Sequence, residues 1–311
     1  MKTLLIFDGH NSAWRLMKKL PMLTANKEPI QVVYGMLRLI RSALEQFEAD
    51  MAIICWDSGR SATRLDLFPG YKAHRDHDST EEKEEENKRL ISQIKILKEM
   101  LHKLNIRQLS YPNSEADDLI GIACCHLTDM KKIVISSDTD MFQLIDEDTS
   151  VWSPIKFTHF TKENFKKEIG LSPQQHLEVK ALAGDRSDGI PGVAEGFGII
   201  TATELIKQYG NIENLFKSSV EKSVSKKGNR YALLYGEGVR ENAYRNLHLM
   251  DLRIIADESK NAEEIRKLLD KNLGKKIKLD KMEVRTYFKE KKFESILNDF
   301  VRWIAPFENL D

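Results

Sequence analysis

The chain has 311 residues, and its 48 Lys and Arg are matched by 48 Asp and Glu, so its formal charge is zero at pH 7. With 41% hydrophobic and 31% charged residues it is globular, and long enough for one large domain or two smaller ones. These values exclude a polycation that holds nucleic acid by bulk charge and an acidic disordered chain, and no apolar run approaches the ~18–20 residues of a membrane span.

The first half reads as alternating strands and helices. Residues 3–7 form a continuous apolar strand; Asp8 ends it too early for a secretory signal peptide, and no small-residue cleavage site follows. Residues 32–47 carry Val32, Met36, Leu39, Ile40, Ala43 and Phe47 at helical spacing. A second buried strand over 51–56 ends at Asp57-Ser58-Gly59. Residues 80–104 make a long helix, charged at its start and apolar later at Ile91, Ile94, Leu97, Leu101 and Leu104. A helix over 116–127 precedes a strand over 132–136, which ends at Ser137-Asp138, and 151–153 with 156–159 suggest a hairpin about Pro154. Alternation with buried strands predicts an α/β fold, a mainly parallel sheet covered by helices. Ligands of such sheets gather at the carboxyl ends of strands, where Asp8, Asp57 and Asp138 lie.

Beyond residue 160 the pattern is all-helical, with helix starts at Thr161 and Ser172-Pro173. A Gly-rich turn over 184–198 separates helices over 174–183 and 201–209. The Lys-rich final stretch ends in an amphipathic segment over 293–304. Cys55, Cys124 and Cys125 form no C-x-x-C pair and are odd in number, as expected of a reduced, cytoplasmic protein with thiols in its core.

The zero charge is a sum over unlike parts: residues 101–150 hold 4 basic and 9 acidic side chains, and residues 201–250 hold 8 basic and 5 acidic. Metal ions and phosphates would suit such a layout. Nine carboxylates stand out: Asp8, Asp57, Glu115, Asp117, Asp118, Asp138, Asp140, Asp185 and Asp188. Each cluster alone fits capping and turn chemistry equally well. Gathered at one sheet edge, they repel unless cations are bound. Ligation by carboxylates alone suits Mg²⁺ or Mn²⁺, and two such ions about 4 Å apart serve in-line displacement at phosphorus.

At this point the ordered motifs resemble those of the 5′-nucleases, the flap endonuclease and 5′→3′ exonuclease family. Asp8-Gly9 with Arg15 resembles the family's opening, Tyr71-Lys72-Ala73-His74-Arg75 its YKxxR motif, and Glu115-Ala116-Asp117-Asp118 its EADD motif. Ser137-Asp138-Thr139-Asp140 is similar to its SxDxD strand end, and Gly184-Asp185-Arg186-Ser187-Asp188-Gly189-Ile190-Pro191-Gly192 to its GDxSDxIPG turn. The set covers residues 1 to about 250 and looks most like the bacterial and bacteriophage branch, including the nuclease domain at the start of bacterial DNA polymerase I. One departure stands in the turn: where the family reads IPGVxGIGxKTA, this chain has one extra residue and Ile200 in place of Lys.

The resemblance implies a PIN-like (resolvase-like) nuclease domain over 1–172 with a helical arch near 71–95. It implies a helix-three-turn-helix (SAM-fold-like) module over 173–250 and a helical tail over 251–311 packing on the nuclease domain. Asp8, Asp57, Glu115 and Asp117 would surround a first Mg²⁺, with Asp117, Asp138, Asp140 and Asp188 nearer a second, and Asp118 and Asp185 acting through water. Mn²⁺ could substitute, and K⁺ could sit at the helical module. Lys72 is expected to offset charge in the transition state, Arg75 to grip a phosphate, and Tyr71 to stack on an unpaired base at ~1–3 kcal/mol. Gly192, Gly196, Gly198 and Thr201 are candidates for duplex phosphates at a helix start. For Arg15 packing against the sheet is an equal alternative, as is a solvated loop for Lys226, Lys227 and Arg230. His10, Trp14 and Trp56 read as structural.

The expected activity is Mg²⁺-dependent, structure-specific cleavage of branched or nicked DNA and RNA–DNA hybrids, used in primer removal by a free-standing, monomeric, cytoplasmic enzyme. The Lys-rich tail is either a contact for a polymerase or single-strand-binding protein or a solvated surface. Rival readings are a PIN-type ribonuclease, an inactive junction-binding protein, and a haloacid dehalogenase-type phosphatase, whose second Asp is missing from Asp8-Gly9-His10. Setting the nine carboxylates aside leaves 39 acids against 48 bases, a basic surplus of nine available to phosphates.

Overall fold

β1 (Thr3–Asp8) is apolar through Phe7, and it is buried on both faces: Leu5 and Phe7 join one core, Leu4 and Ile6 another. A strand of this kind belongs in the middle of a sheet covered on both sides. The structure, a computed structural model, describes residues 1–25, 27–76, 80–221, 234, 236–275 and 279–311.

After β1 come α1 (Gly9–Lys19), a small hairpin of β2 (Thr24–Ala25) and β3 (Glu28–Pro29), α2 (Gln31–Phe47), β4 (Met51–Cys55) and α3 (Ala62–Leu67). A 3-10 turn (Ala73–Asp76) leads to α4 (Glu81–Lys103), β5 (Arg107–Leu109), α5 (Ala116–His126) and β6 (Lys131–Ile135). A second 3-10 turn (Thr139–Leu144) precedes the hairpin of β7 (Thr149–Ser153) and β8 (Thr158–Phe160). The sheet order is β5-β4-β1-β6-β7-β8, parallel except for β8 at the edge. From β1 the chain moves outward to β4 and β5, then returns to β6 on β1's other side. That reversal opens a crevice at the carboxyl end of β1.

The helical part comprises α6 (Lys162–Ile169), α7 (Pro173–Ala183), α8 (Ile199–Tyr209), α9 (Ile212–Glu221) and α10 (Val239–Met250). Its own core gathers Leu177, Leu182, Val193, Phe197, Ile206 and Leu215. Then follow α11 (Leu252–Glu258), α12 (Ala262–Leu273), α13 (Lys281–Glu290), α14 (Glu294–Leu297) and α15 (Phe300–Glu308). α11 and α12 pack on α5, closing one face of the sheet, while α13 packs on α4 and α15 on α2. Among the described residues no helix is long and apolar enough to cross a membrane.

Several local outcomes differ from the sequence expectation. The amphipathic segment over 293–304 is broken into α14 and α15 around Asn298-Asp299. α8 starts at Ile199 with Gly198 as its N-cap, so Thr201 lies in the first turn and caps nothing. Thr80 does cap α4, accepting the Lys83 N–H at 3.3 Å, and Glu81, Glu82 and Glu84 in the first turn complement the helix dipole. Leu90, Ile94, Leu97 and Leu101 then bury α4 against the sheet, whereas Ile91 points to solvent.

Candidate active site

Three strand ends set the frame. Asp8 closes β1 and starts α1: its Oδ1 accepts the Asn11 N–H at 3.2 Å and its Oδ2 accepts the Ser136 hydroxyl at 3.1 Å. Asp57, just past β4, accepts the Ala116 N–H at 2.6 Å and so ties β4 to the start of α5. Asp138, just past β6, caps the following 3-10 turn by accepting the Asp140 N–H at 3.0 Å. Glu115 caps α5, and Asp117 sits in its first turn. The Gly-rich turn after α7 brings Asp185 and Asp188 to the same place. A bridge between Asp185 and Ile190 closes that turn, and the Lys72 N–H donates to the Asp188 carbonyl at 2.8 Å.

The result is one pocket of about 680 Å³ lined by Asp8, Asp57, Glu115, Asp117, Asp138, Asp140, Asp185 and Asp188, with Lys72 and Arg75 on its wall. Crowding of like charges away from water shows in the acid strengths. Burial, reinforced by Asp57 and Asp138, pushes the Asp8 carboxyl up to about 7. Burial with Asp8 and Asp138 drives Asp117 well above the carboxylate range, and burial likewise raises Asp140 and Asp188. Burial would raise Glu115 too, but Lys72 and Arg64 hold it below its usual value.

Two ammonium groups compensate part of this charge. Lys72 Nζ donates to Glu115 Oε2 at 2.7 Å and lies 3.7 Å from Asp188. Lys180, on α7, pairs with Asp140 and lies 3.0 Å from Asp185, which joins the helical part to the sheet edge. Among the described residues no three of these acids are gathered round one point as metal ligands would be. The donor set, carboxylates alone with several held as weaker acids than usual, could hold hard divalent cations.

Other predicted residues are placed elsewhere. Asp118 does not face the pocket: it is buried, accepts the Glu115 N–H at 3.1 Å, and pairs with Arg64. Tyr71 is not free to stack on a base, because it is 1% exposed and its hydroxyl donates to Glu115 at 2.6 Å. Arg15 donates to Asn11 Oδ1 at 2.8 Å and lines a neighbouring groove rather than the carboxylate pocket. Gly192 serves packing: a Cβ there would meet the Ala183 carbonyl at 2.8 Å, while Gly196 and Gly198 face open space. Lys226, Lys227 and Arg230 lie outside the described residues.

The structure also adds residues. His10 and Trp14 line the pocket instead of serving only as structure, and His10 Nδ1 accepts the Asp57 N–H at 3.0 Å. Trp56 is buried, as expected. Arg64 and Lys180 were not singled out in the sequence. Arg64 is 4% exposed, donates to the Leu249 carbonyl at 3.0 Å and lies 3.4 Å from Glu115, so it locks α3, α5 and α10 together behind the acids.

A family profile described as "5'-3' exonuclease, N-terminal resolvase-like domain" matches residues 3–170, and one described as "5'-3' exonuclease, C-terminal SAM fold" matches residues 171–270. The chain is 33% identical over 221 residues to a 5'-3' exonuclease of Aquifex aeolicus, covering 70% of this chain and 73% of that protein. It is 29% identical over 304 residues to the thermostable DNA polymerase I of Thermus filiformis, covering 96% of this chain and 33% of the relative, so it spans about a third of that protein's length. A solved structure of the T5 5'-exonuclease with bound zinc superposes with a TM-score of 0.69 at 24% identity, covering 87% of this chain and 99% of that one. That likeness bears on the fold, a resolvase-like α/β domain followed by a SAM fold. The two profiles leave little of the chain unmatched, and the chain belongs to the 5'-3' exonuclease family.

Proposed function

We propose that this chain is a divalent-metal-dependent, structure-specific 5′-nuclease that cuts phosphodiesters at 5′ flaps, nicks and RNA–DNA hybrids. The observation that carries this reading is the convergence of eight carboxylates in one pocket at the carboxyl ends of β1, β4 and β6, with Lys72 and Arg75 beside them. The family supports it, as does a structural relative described as a T5 flap endonuclease in complex with DNA and metal ions. Two Mg²⁺ or Mn²⁺ ions would supply the Lewis acid that activates water and steadies the leaving oxygen. Asp8, Asp57, Glu115 and Asp117 would hold one, and Asp117, Asp138, Asp140 and Asp188 the other.

The chain's own residues then have distinct tasks. Burial and its acidic neighbours favour the protonated form of Asp8, and a cation in the pocket would favour the carboxylate that holds it. Lys72 exchanges Glu115 for the scissile phosphate and offsets charge developing on its oxygens. Arg75, half-exposed and held by the Ser187 carbonyl and Asp188 Oδ1, offers its remaining N–H groups to a phosphate. Gly196 and Gly198 leave the amide groups at the start of α8 open to a duplex phosphate, and a K⁺ ion would sit on the same turn. Such contacts carry no base code, so recognition follows DNA structure.

We divide the chain accordingly into a nuclease domain over 1–172 with its arch near 71–95, a DNA-binding module over 173–250 and a buttressing tail over 251–311. Removal of primers or flaps in replication, by a monomer in the cytoplasm, is the use that suits this activity. The test uses end-labelled 5′-flap, nicked and single-stranded DNA with Mg²⁺ or EDTA. Cutting that needs Mg²⁺ and leaves 5′-phosphorylated products is expected; no Mg²⁺-dependent cutting of any substrate would falsify the reading.

A further inference from the structure

α1 separates two concave surfaces. Asn11 and Trp14 face the carboxylate pocket, whereas Ser12 and Arg15 face a groove of about 780 Å³. The groove's floor is aliphatic, made by Leu16, Leu20, Leu39 and Ile296. Gly35 lets α1 and α2 close beneath it, since a Cβ there would meet Leu20 Cδ1 at 2.7 Å. One wall is the connection between β7 and β8, which presents Ile155 and Phe157. Phe157 is 80% exposed and holds a left-handed backbone, φ +50°. That region is uncommon for a bulky residue, and the fold thus carries backbone strain and an exposed aromatic ring at a single position.

The groove's charge is one-sided. Arg15, Lys19, Arg38 and Arg41 line it, against Glu45 as the one acid, and Arg41 takes up Glu45 at 2.5 Å. Among the described residues no carboxylate pairs with Arg15, Lys19 or Arg38. A nucleic-acid strand would also answer that charge, but bases bind such grooves by stacking on free aromatic faces. Here Phe157 offers one open ring, but the other aromatic rings are engaged: Trp303 is stacked on Phe307 at 5.0 Å, Trp152 meets Phe47 and His159 edge-on, and the Arg38 guanidinium lies over Tyr34, so successive bases find no stacking platform. An aliphatic floor with a basic rim instead suits apolar side chains flanked by carboxylates.

We propose that this groove docks a short acidic segment of a partner protein, its apolar side chains on Leu16, Leu39 and Phe157 and its carboxylates on Lys19 and Arg38. The proposal stands apart from the nuclease reading, because its test measures binding. The full-length chain in EDTA is titrated by fluorescence anisotropy with a labelled acidic peptide bearing leucines along one helical face. Parallel titrations use the same peptide with every acid changed to Lys, and an oligothymidylate. Expected are saturable binding of the acidic peptide alone among the two peptides, and about tenfold weaker binding in Lys19→Glu/Arg38→Glu and in Phe157→Ala. These are exposed positions outside the cutting machinery, so melting and DNA cleavage should match the wild type. Absence of acidic-peptide binding, or binding unchanged in both variants, overturns the proposal. Loss of oligothymidylate binding in those variants, with no peptide effect, would make the groove a nucleic-acid site. Self-association in sedimentation that both variants abolish would make the occupant a second copy of this chain.

Discussion

The hydroxyl of Tyr71 lies 2.6 Å from Glu115 Oε2 and 3.2 Å from Asp188 Oδ2, so a side chain flanked by basic neighbours serves the acid framework. Lys72, next in the chain, holds φ +55° and turns its ammonium toward the same two acids. On the proposed function, removing that ammonium would take away charge that matters most in the transition state. Lys72→Ala is expected to slow single-turnover cleavage by ~10²–10³-fold while DNA affinity changes little. Equal losses of rate and affinity would assign Lys72 to binding. Lys180 has a different weight. Lys180→Met leaves Asp140 and Asp185 without their counter-ion, at a cost on the order of 3 kcal/mol in EDTA. Denaturant melts should show that deficit shrinking when Mg²⁺ is added, because a cation does the same work; an identical deficit with and without Mg²⁺ would separate Lys180 from the cation site.

At the level of elements, α5 is the piece that ties chemistry to fold. Its first turn carries Asp117, and its far side is pressed against α11, where a Cβ at Gly121 would meet the Leu252 carbonyl at 2.9 Å. Backbone is a neighbour that cannot yield cheaply, so Gly121→Ala should destabilise by ~1–3 kcal/mol in thermal or denaturant melts. A wild-type melt would mean that α11 can slide. β1, β4 and β6 were legible because parallel strands buried on both faces are apolar runs, and Asp8, Asp57 and Asp138 followed from where those runs stop; the other acids stood out as clusters in the ordered motifs. α1 was not legible, because Asp8-Gly9-His10-Asn11-Ser12 has the composition of a turn and becomes helix through the Asp8 cap. β5 has only three residues, too few for any pattern. Asp118 could not be told from Asp117 by spacing alone: one step along a helix turns the side chain by about 100°, enough to swing it from the pocket to Arg64. Arg64 and Lys180 meet partners 54 and 40 residues away, a proximity only the folded chain creates.

For the whole molecule, the zero net charge is a balance between a buried acidic pocket and a basic remainder, and the balance shifts with pH and with cations. Asp8 illustrates the sign. Its carboxyl ionises near 3.8 unfolded and at about 7 folded, so between those values the native state binds more protons than the unfolded one. Stability from this group therefore falls as pH rises from about 4 to about 7 and stays reduced above that. Asp117, Asp140 and Asp188 act in the same direction, whereas Glu115 and Asp185, held low by Lys72, Arg64 and Lys180, act against it. A divalent cation competes with the protons, so its stabilising effect should grow with pH. In EDTA, Asp8→Asn should melt higher than wild type at pH 8, with the advantage shrinking toward pH 5, yet it should gain less from Mg²⁺. On the proposed function, the same linkage should make DNA binding weaker in the metal-free protein, since an uncompensated acidic pocket repels phosphate, and steeply weaker as salt rises. Melting curves at pH 5 and pH 8, with EDTA and with Mg²⁺, decide the matter. Equal Mg²⁺ stabilisation of wild type at both pH values, or an undiminished Mg²⁺ gain in Asp8→Asn, would place the cation outside this pocket.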